Sequence, residues 1–141
     1  MSSSPIVVIV VIAAALAAAY AIGRLLTRRH GVVRETAGDT TDVDVDDLGL
    51  SATGPTVVHF SAVWCGPCAG VRRVVDQVCA ELPDVAHVEI DMDANPVAAR
   101  RLSVLSLPTT FIFDADRRQR YRTSGVPKVA DLRSALEPLL A

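Results

Sequence analysis

Two of the three cysteines, Cys65 and Cys68, are separated only by Gly66 and Pro67 and follow Trp64 directly. A disulfide is broken by a thiolate, so a reactive cysteine must reach the thiolate form and must be accessible to solvent. We expect Cys65 to meet both conditions, because it precedes a helix start where unpaired N–H groups and the helix dipole favour negative charge. Cys68 lies one turn further along and can reach back to Cys65. The spacing therefore predicts a nucleophile and a resolving thiol.

Metal binding and a structural disulfide are the competing uses of this pair. A zinc site needs four ligands at tetrahedral spacing. The other cysteine and the histidines of the chain are isolated in sequence: Cys79, His30, His59 and His87. We therefore expect neither a metal nor another cofactor, and we interpret Cys79 as a small apolar core residue of a helix. A disulfide that closes a two-residue loop constrains the unfolded chain little, which argues against a structural role.

Length and charge limit the class of protein. The 141 residues fit one ordinary domain with an appendage. The net charge is -2 and aromatic residues make up 4% of the chain, so base stacking and phosphate binding have little support. We expect no nucleic-acid partner.

The hydrophobic pattern predicts the element order βαβαββα. The strands are expected at 56–61, 86–92, 109–113 and 118–123, and the helices at 67–82, 96–102 and 129–139. Pro67 and Pro96 suit first-turn positions, where a missing N–H is not needed. This order requires a parallel crossover before an antiparallel pair, so we predict an α/β fold with a mixed sheet and helices on both faces.

An uncharged run precedes this domain. Residues 6–22 carry no charge and span roughly 25 Å as a helix; extension to residue 26 completes a membrane crossing. Residues 1–5 contain no Lys or Arg, which argues against a cleaved signal peptide. The basic residues follow the run: Arg24, Arg28, Arg29 and Arg34. Because such residues stay on the cytoplasmic side, we expect a single-pass membrane protein whose domain faces the cytoplasm.

The segment between helix and domain is predicted to be a linker. Residues 27–55 begin with a basic juxtamembrane stretch and continue with Asp, Thr, Gly and Ser. The acidic residues there are Glu35, Asp39, Asp42, Asp44, Asp46 and Asp47. We therefore expect an acidic flexible linker, with a short strand around Val43 and Val45 as the alternative. The resulting division is a tail at 1–5, a transmembrane helix at 6–26, the linker at 27–55 and the domain at 56–141.

Several motifs together resemble the thioredoxin family. They are Trp64-Cys65-Gly66-Pro67-Cys68, Asn95-Pro96, Leu107-Pro108-Thr109 and Gly125, in the family's order and near its spacing. The resemblance covers roughly 56–140 and implies a thioredoxin-like fold in which the family's first strand and helix are reduced. It also implies a protein-disulfide reductase that acts on protein disulfides and is recharged by an electron-donating reductase not identified by the sequence.

The resemblance also assigns roles around the cysteine pair. Pro108 is implied to be a cis-proline facing Cys65 and Cys68. An X–Pro bond is the one peptide bond whose cis form has a low free-energy cost. Leu107 would offer its backbone N–H and C=O to an extended substrate. The substrate surface would be completed by Trp64, Gly66, Pro67 and Gly125.

Two positions depart from the family pattern. His59 stands where thioredoxins usually carry a buried Asp, and Glu89 stands where they usually carry a Lys. His59 is either a base that exchanges a proton with Cys68 or a hydrogen-bonded core residue. A further feature is a row of arginines: Arg117, Arg118, Arg120 and Arg122. They form either a solvated face or a contact for an acidic partner or anionic lipid.

Three functions are compatible with these residues. The favoured one is a dithiol reductase tethered to the inner face of a membrane. The second turns the same enzyme outward, toward exported proteins, as in membrane-tethered relatives that serve cytochrome assembly. The third is a non-catalytic thioredoxin-like adaptor for a membrane partner, against which the intact cysteine pair argues.

Overall fold

The structure is a computed structural model that describes residues 5–27, 31–36 and 45–141. It consists of two compact units, Met1–His30 and Gly31–Ala141. The first contains helix α1, Pro5–Thr27, and the second contains all the strands and the other helices.

Helix α1 is apolar on every face. Its 23 residues include one charged side chain, Arg24, and extend roughly 35 Å. Within the described residues it is the one helix long and apolar enough to cross a membrane. The predicted helix at 6–26 is therefore confirmed, although a membrane span and a signal sequence near the amino terminus share these properties.

The second unit is built on a five-stranded sheet. Its strands are β1 Arg34–Glu35, β2 Thr56–Ser61, β3 Ala86–Asp91, β4 Thr109–Phe113 and β5 Gln119–Ser124. Their order across the sheet is β1-β5-β4-β2-β3. Strand β2 pairs in parallel with β3 and antiparallel with β4, and β4 pairs antiparallel with β5. The predicted mixed sheet is confirmed, with β1 as an additional edge strand.

Helices cover both faces of this sheet. They are α2 Cys68–Glu81, α3 Pro96–Arg101 and α4 Val129–Leu136, the last followed by a 3-10 turn, Glu137–Leu139. The valines of α2 that recur at helical spacing, Val71, Val75 and Val78, join one core cluster with residues of α4. Residues of α3 belong to the other cluster.

Strand β2 is the centre of the domain because all six of its residues are buried. Its side chains alternate between the two faces. Val57 packs in the cluster formed with α2 and α4, whereas Val58 and Phe60 pack in the cluster formed with α3. His59 therefore lies on the same side of the sheet as Val57, toward α2.

The described parts of the expected linker are folded onto the domain, which differs from the prediction for 27–55. Arg34 and Glu35 pair with β5, and the Thr36 N–H donates a 2.8 Å hydrogen bond to the Arg120 carbonyl. Charged side chains in a two-residue edge strand give no alternating apolar pattern, so the sequence carried no strand signal. The alternative strand at 43–45 falls partly outside the described residues.

A 3-10 turn in the acidic stretch, Asp46–Leu48, also belongs to the domain. Leu48 is 3% exposed and packs in the cluster formed with α3. The neighbouring Asp47 is 2.6 Å from the Arg101 guanidinium, and that hydrogen bond lowers the pKa of the Asp47 carboxyl. The missed signal is a single leucine among acidic residues. Such a leucine can pack into the core while the neighbouring carboxylates contact arginines of the domain.

We predict that Leu48→Ala lowers the free energy of unfolding by about 2 to 5 kcal/mol, because it removes a fully packed side chain from the core. Denaturant unfolding of the full-length protein in detergent micelles measures this. The matched control is Leu105→Ala, which removes the same atoms from a side chain that is 91% exposed. Equal stability of the Leu48→Ala protein and the wild type would mean that 45–50 is not part of the folded core.

Candidate active site

The cysteine pair lies where the central strand runs into helix α2. The Cys65 N–H donates to the Ala62 carbonyl at 3.0 Å, and the Cys68 N–H donates to the Cys65 carbonyl at 3.3 Å. These turns bring the two Cα atoms to 5.6 Å, and the sulfurs form a disulfide. The two residues between the cysteines are exposed, so the loop leaves the disulfide open from outside.

The two sulfurs differ in their surroundings. Cys65 is partly exposed, whereas Cys68 is 2% exposed. The Cys68 sulfur lies 3.9 Å from the Phe60 carbonyl oxygen of β2. An incoming substrate sulfur can therefore approach Cys65, while Cys68 is shielded by the helix and the central strand.

A cis peptide bond lies at the same end of the sheet. The Leu107–Pro108 bond is cis, as the resemblance implies. Pro108 directly precedes β4, whose first residue, Thr109, pairs with Phe60 near the end of β2. The Pro108 carbonyl accepts a 2.9 Å hydrogen bond from the N–H of Gly125, which has a φ of +87° that favours glycine.

Exposed apolar side chains flank these residues. The indole N–H of Trp64 donates a 2.9 Å hydrogen bond to Asp93 Oδ2, and the ring remains largely exposed. Val63 is 95% exposed beside Trp64, and Leu105 is 91% exposed two residues before Leu107. The sequence analysis did not select Val63, Leu105 or Asp93. Apolar residues in loops next to the motifs were the available signal for Val63 and Leu105, whereas the contact of Asp93 with Trp64 had no sequence signal.

His59 is fully buried on the side of β2 that faces α2. Its Nδ1 lies 2.8 Å from Nε2 of His87 on β3, and the two rings are stacked. Its Nε2 has no hydrogen-bond partner among the described residues, since Glu89 Oε1 is 3.6 Å away. Burial lowers the pKa of His59 to about 4, so the ring is neutral at pH 7.

Charged groups of α2 and β3 surround this histidine. Arg72 holds the Glu89 carboxylate through two hydrogen bonds of 2.8 and 2.6 Å, and this contact lowers the pKa of Glu89 to about 2. On the other side, His87 Nδ1 lies 3.6 Å from Asp76 Oδ1. Burial is also the main reason that the pKa of His87 is lowered. No hydrogen bond joins His59 to Cys65 or Cys68 in the described part of the chain.

Comparison with known proteins identifies the family. The family model described as Thioredoxin matches residues 35–138. The chain belongs to the thioredoxin family. The chloroplastic thioredoxin M-type of Chlamydomonas reinhardtii is 33% identical over 113 residues, which are 79% of this chain and 81% of that protein. The thioredoxin of Mycolicibacterium smegmatis is 43% identical over 67 residues, 45% of this chain and 60% of that protein.

Solved structures of thioredoxins are also similar to this chain. A mutant thioredoxin from Halobacterium salinarum NRC-1 is 32% identical with a TM-score of 0.60, covering 74% of this chain and 87% of that one. Chloroplastic thioredoxin z is also 32% identical, with a TM-score of 0.57, and covers 62% of this chain and 79% of that one. Together with the disulfide between Cys65 and Cys68, the family identifies the chain as a thiol-disulfide oxidoreductase, not a non-catalytic adaptor.

Three of the four arginines in the row of this thioredoxin make contacts within the domain. Arg122 donates to the Leu102 and Ser103 carbonyls at 3.2 and 2.7 Å, and its guanidinium lies over the Phe111 ring. The other paired members of the row are Arg117 with Asp46 and Arg120 with Asp114. These contacts tie β5 and the preceding turn to the rest of the domain, while Arg117 and Arg120 remain about half exposed and Arg118 is exposed, as expected for a solvated face.

The third cysteine, Cys79, lies on α2 away from the disulfide. Its thiol is free and half-buried, and it packs against the cluster that contains Val75. Burial, followed by the nearby Asp76 carboxylate, raises the pKa of the Cys79 thiol. A thiol with a raised pKa holds little thiolate at pH 7, which fits a core residue better than a second redox centre.

The buried histidine predicts an acid-sensitive fold. Because the folded-state pKa of His59, about 4, lies below the ordinary value of 6.5, the unfolded chain binds more protons between these two values. The stability contributed by the neutral ring is fully present above pH 6.5 and is lost as the pH falls toward 4. We expect His59→Gln to flatten the dependence of unfolding free energy on pH in this window, measured by denaturant titration. An unchanged slope would show that protonation of His59 does not limit acid stability.

Proposed function

We propose that this thioredoxin reduces protein disulfides through Cys65 and Cys68 while α1 holds it in a membrane. The observation that carries the catalytic part is the unequal exposure of the two sulfurs at the start of α2. An accessible outer sulfur beside an enclosed inner one suits a reaction in which one thiol attacks the substrate and the other completes the exchange.

The reaction has two displacement steps. The Cys65 thiolate attacks a substrate disulfide, so a mixed disulfide forms and one substrate sulfur leaves as a thiolate. Cys68 then loses its proton and attacks Cys65, which closes the internal disulfide and releases the second substrate thiolate. Two electrons have passed to the substrate. A donor dithiol from a separate reductase must return two electrons to the Cys65–Cys68 disulfide before the next turnover.

The substrate surface is proposed to surround Cys65. An extended substrate segment would pair with the backbone of Leu107, next to the cis bond at Pro108. The remaining substrate-binding residues of this proposal are Trp64, Gly66, Pro67 and Gly125. The exposed side chains of Val63 and Leu105 would extend this surface, so protein substrates with apolar residues beside their disulfide should fit best.

The test is a pair of cysteine variants. We predict that Cys65→Ser abolishes reduction of a protein disulfide such as that of insulin, because the attacking sulfur is absent. Cys68→Ala should still attack but not resolve, so covalent substrate complexes accumulate and are visible on non-reducing gels. Cys79→Ser is the matched control and should keep wild-type turnover. Equal trapping by the Cys65 and Cys68 variants would refute the assigned roles.

Anchoring rests on the length and apolar surface of α1. A 23-residue helix without a polar face finds a suitable environment in a bilayer. Arg24 is followed by the basic residues Arg28 and Arg29, which lie outside the described residues. Since arginines flanking a span stay on the cytoplasmic side, we propose that the catalytic domain faces the cytoplasm.

A reporter fusion tests this orientation. A fluorescent protein that matures only in the cytoplasm, fused after Ala141, should fluoresce in the membrane fraction, and an exported phosphatase fused at the same site should be inactive. Lysines added after Met1 should weaken the fluorescence. An active phosphatase would instead support the outward-facing enzyme, and a soluble product shortened by the length of α1 would identify a cleaved signal sequence.

His59 is proposed as the group that exchanges a proton with Cys68. It lies on the α2 side of β2 and adjoins Phe60, whose carbonyl contacts the Cys68 sulfur. A positioned base near a reacting thiol accelerates proton transfer.

A further inference from the structure

The buried His59 is connected to the protein surface through a second histidine. From His59 Nδ1 the path runs 2.8 Å to His87 Nε2, and from His87 Nδ1 it runs 3.6 Å to Asp76 Oδ1. The Asp76 side chain, on α2, is 65% exposed. Each step joins two atoms that can gain or lose a proton. This path leaves the core through the gap between α2 and β3, not through the substrate surface.

The short contact between the two rings couples their protonation. A neutral imidazole has one N–H and one bare nitrogen. At 2.8 Å one of the two facing nitrogens must donate and the other must accept. If His59 carries its proton on Nδ1, His87 must also carry its proton on Nδ1, where it faces Asp76. If His87 donates from Nε2, His59 must carry its own proton on Nε2, where it faces Glu89.

Each of these two arrangements leaves one bare nitrogen at one end of the pair. With both protons on Nδ1, the bare atom is His59 Nε2, the buried nitrogen that has no hydrogen-bond partner in the described chain. With both protons on Nε2, the bare atom is His87 Nδ1, which faces the exposed end. Conversion of the first arrangement into the second takes up a proton at His59 Nε2 and releases one at Asp76.

We propose that the His59–His87 pair is a proton wire that carries the Cys68 proton to Asp76 and solvent during resolution of the mixed disulfide. This inference rests on the proposed function and deepens it. His87 and Asp76 are positioning residues in this scheme, since they act on the reaction through His59. They matter because a bound substrate covers the cysteine loop and so blocks the direct exit of the proton there. The gap between α2 and β3 stays uncovered.

Protons and electrons balance over the cycle. Cys68 transfers its thiol proton to His59 Nε2, and its sulfur attacks Cys65. The S–S bond between Cys65 and Cys68 forms, and the bond between Cys65 and the substrate sulfur breaks. His59 passes its Nδ1 proton to His87 Nε2, and His87 passes its Nδ1 proton through Asp76 to water. When a donor dithiol later reduces the disulfide, the leaving Cys68 thiolate takes the proton back and the wire resets.

The charged groups around the pair are compatible with this function. Glu89 from β3 faces His59, but Arg72 from α2 neutralises that carboxylate through two hydrogen bonds. Asp76 faces His87. Burial lowers the pKa values of both histidines, so near pH 7 the pair holds one proton on each ring and can shift between its two arrangements.

The kinetic test separates attack from resolution in the full-length protein in detergent micelles. All variants carry Cys79→Ser, and the substrate is an aromatic disulfide whose two halves leave as coloured thiolates. In stopped flow the first coloured thiolate reports attack by Cys65, and the second reports resolution by Cys68. We expect His87→Gln, whose amide can hydrogen-bond but cannot relay a proton, to slow resolution about tenfold or more while attack is unchanged, a part of the roughly 10² to 10⁴ that a positioned base supplies.

Variants of the outer residue supply controls. Asp76→Asn should slow resolution, and Asp76→Glu, which keeps a carboxylate at this position, should restore it. Asp131→Asn removes the same charge from an exposed position on α4 and should change neither step. Wild-type resolution in folded His87→Gln protein would overturn the wire. Absence of the first coloured thiolate from the wild type would instead refute the proposed function itself.

A spectroscopic measurement covers the case in which the His87 variant fails to fold. Nitrogen NMR of the imidazoles in the wild type should find both protons on Nδ1 in the dithiol form and both on Nε2 in the disulfide form. A tautomer pair that does not change with the redox state of Cys65 and Cys68 would contradict the wire.

Discussion

The complete burial of strand β2 constrains the active site of this thioredoxin. The strand is covered on both faces and paired along both edges, so each of its polar side chains must find a partner inside the fold. His59 meets this requirement through His87, which lies on the neighbouring parallel strand two positions before Glu89, the register partner of His59. The buried imidazole therefore requires polar partners on β3 and α2. The same strand, β2, leads directly into the cysteine loop.

The replacement of an acid by a histidine changes the electrostatics of the site. The family's usual Asp becomes an anion when it gives up its proton, whereas a buried His is neutral once it has done so. In this chain the negative charge nearest the ring, on Glu89, is matched by Arg72. If His59 exchanges a proton with Cys68 as proposed, the reactivity of the inner sulfur depends more on hydrogen bonding and proton access than on a neighbouring charge.

The sequence predicted well the features that depend on local pattern. The order of strands and helices, the apolar helix α1 and the disulfide-forming cysteine pair all follow from periodicity, proline positions and short motifs. It failed where residues distant in sequence meet. Leu48 looked like part of an acidic linker because the core cluster that it joins is built from residues far along the chain. The pairing of Arg34 with β5 depends on a sheet edge that no local pattern describes. The partners His87 and Asp76 were missed for the same reason, since strand register and helix packing bring them to His59.

Strand β3 has a second consequence, for association between molecules. Within the described chain it is the outermost strand on its side of the sheet, so the backbone groups on its outer edge lack a neighbouring strand. Such an edge can recruit another extended chain, and charged side chains along it oppose that pairing. Two residues of this strand, Glu89 and Asp91, carry charged side chains, and Glu89 is held by Arg72. Charged residues of β3, among them the Glu89 that faces His59, thus also disfavour the addition of this sheet to the sheet of another molecule.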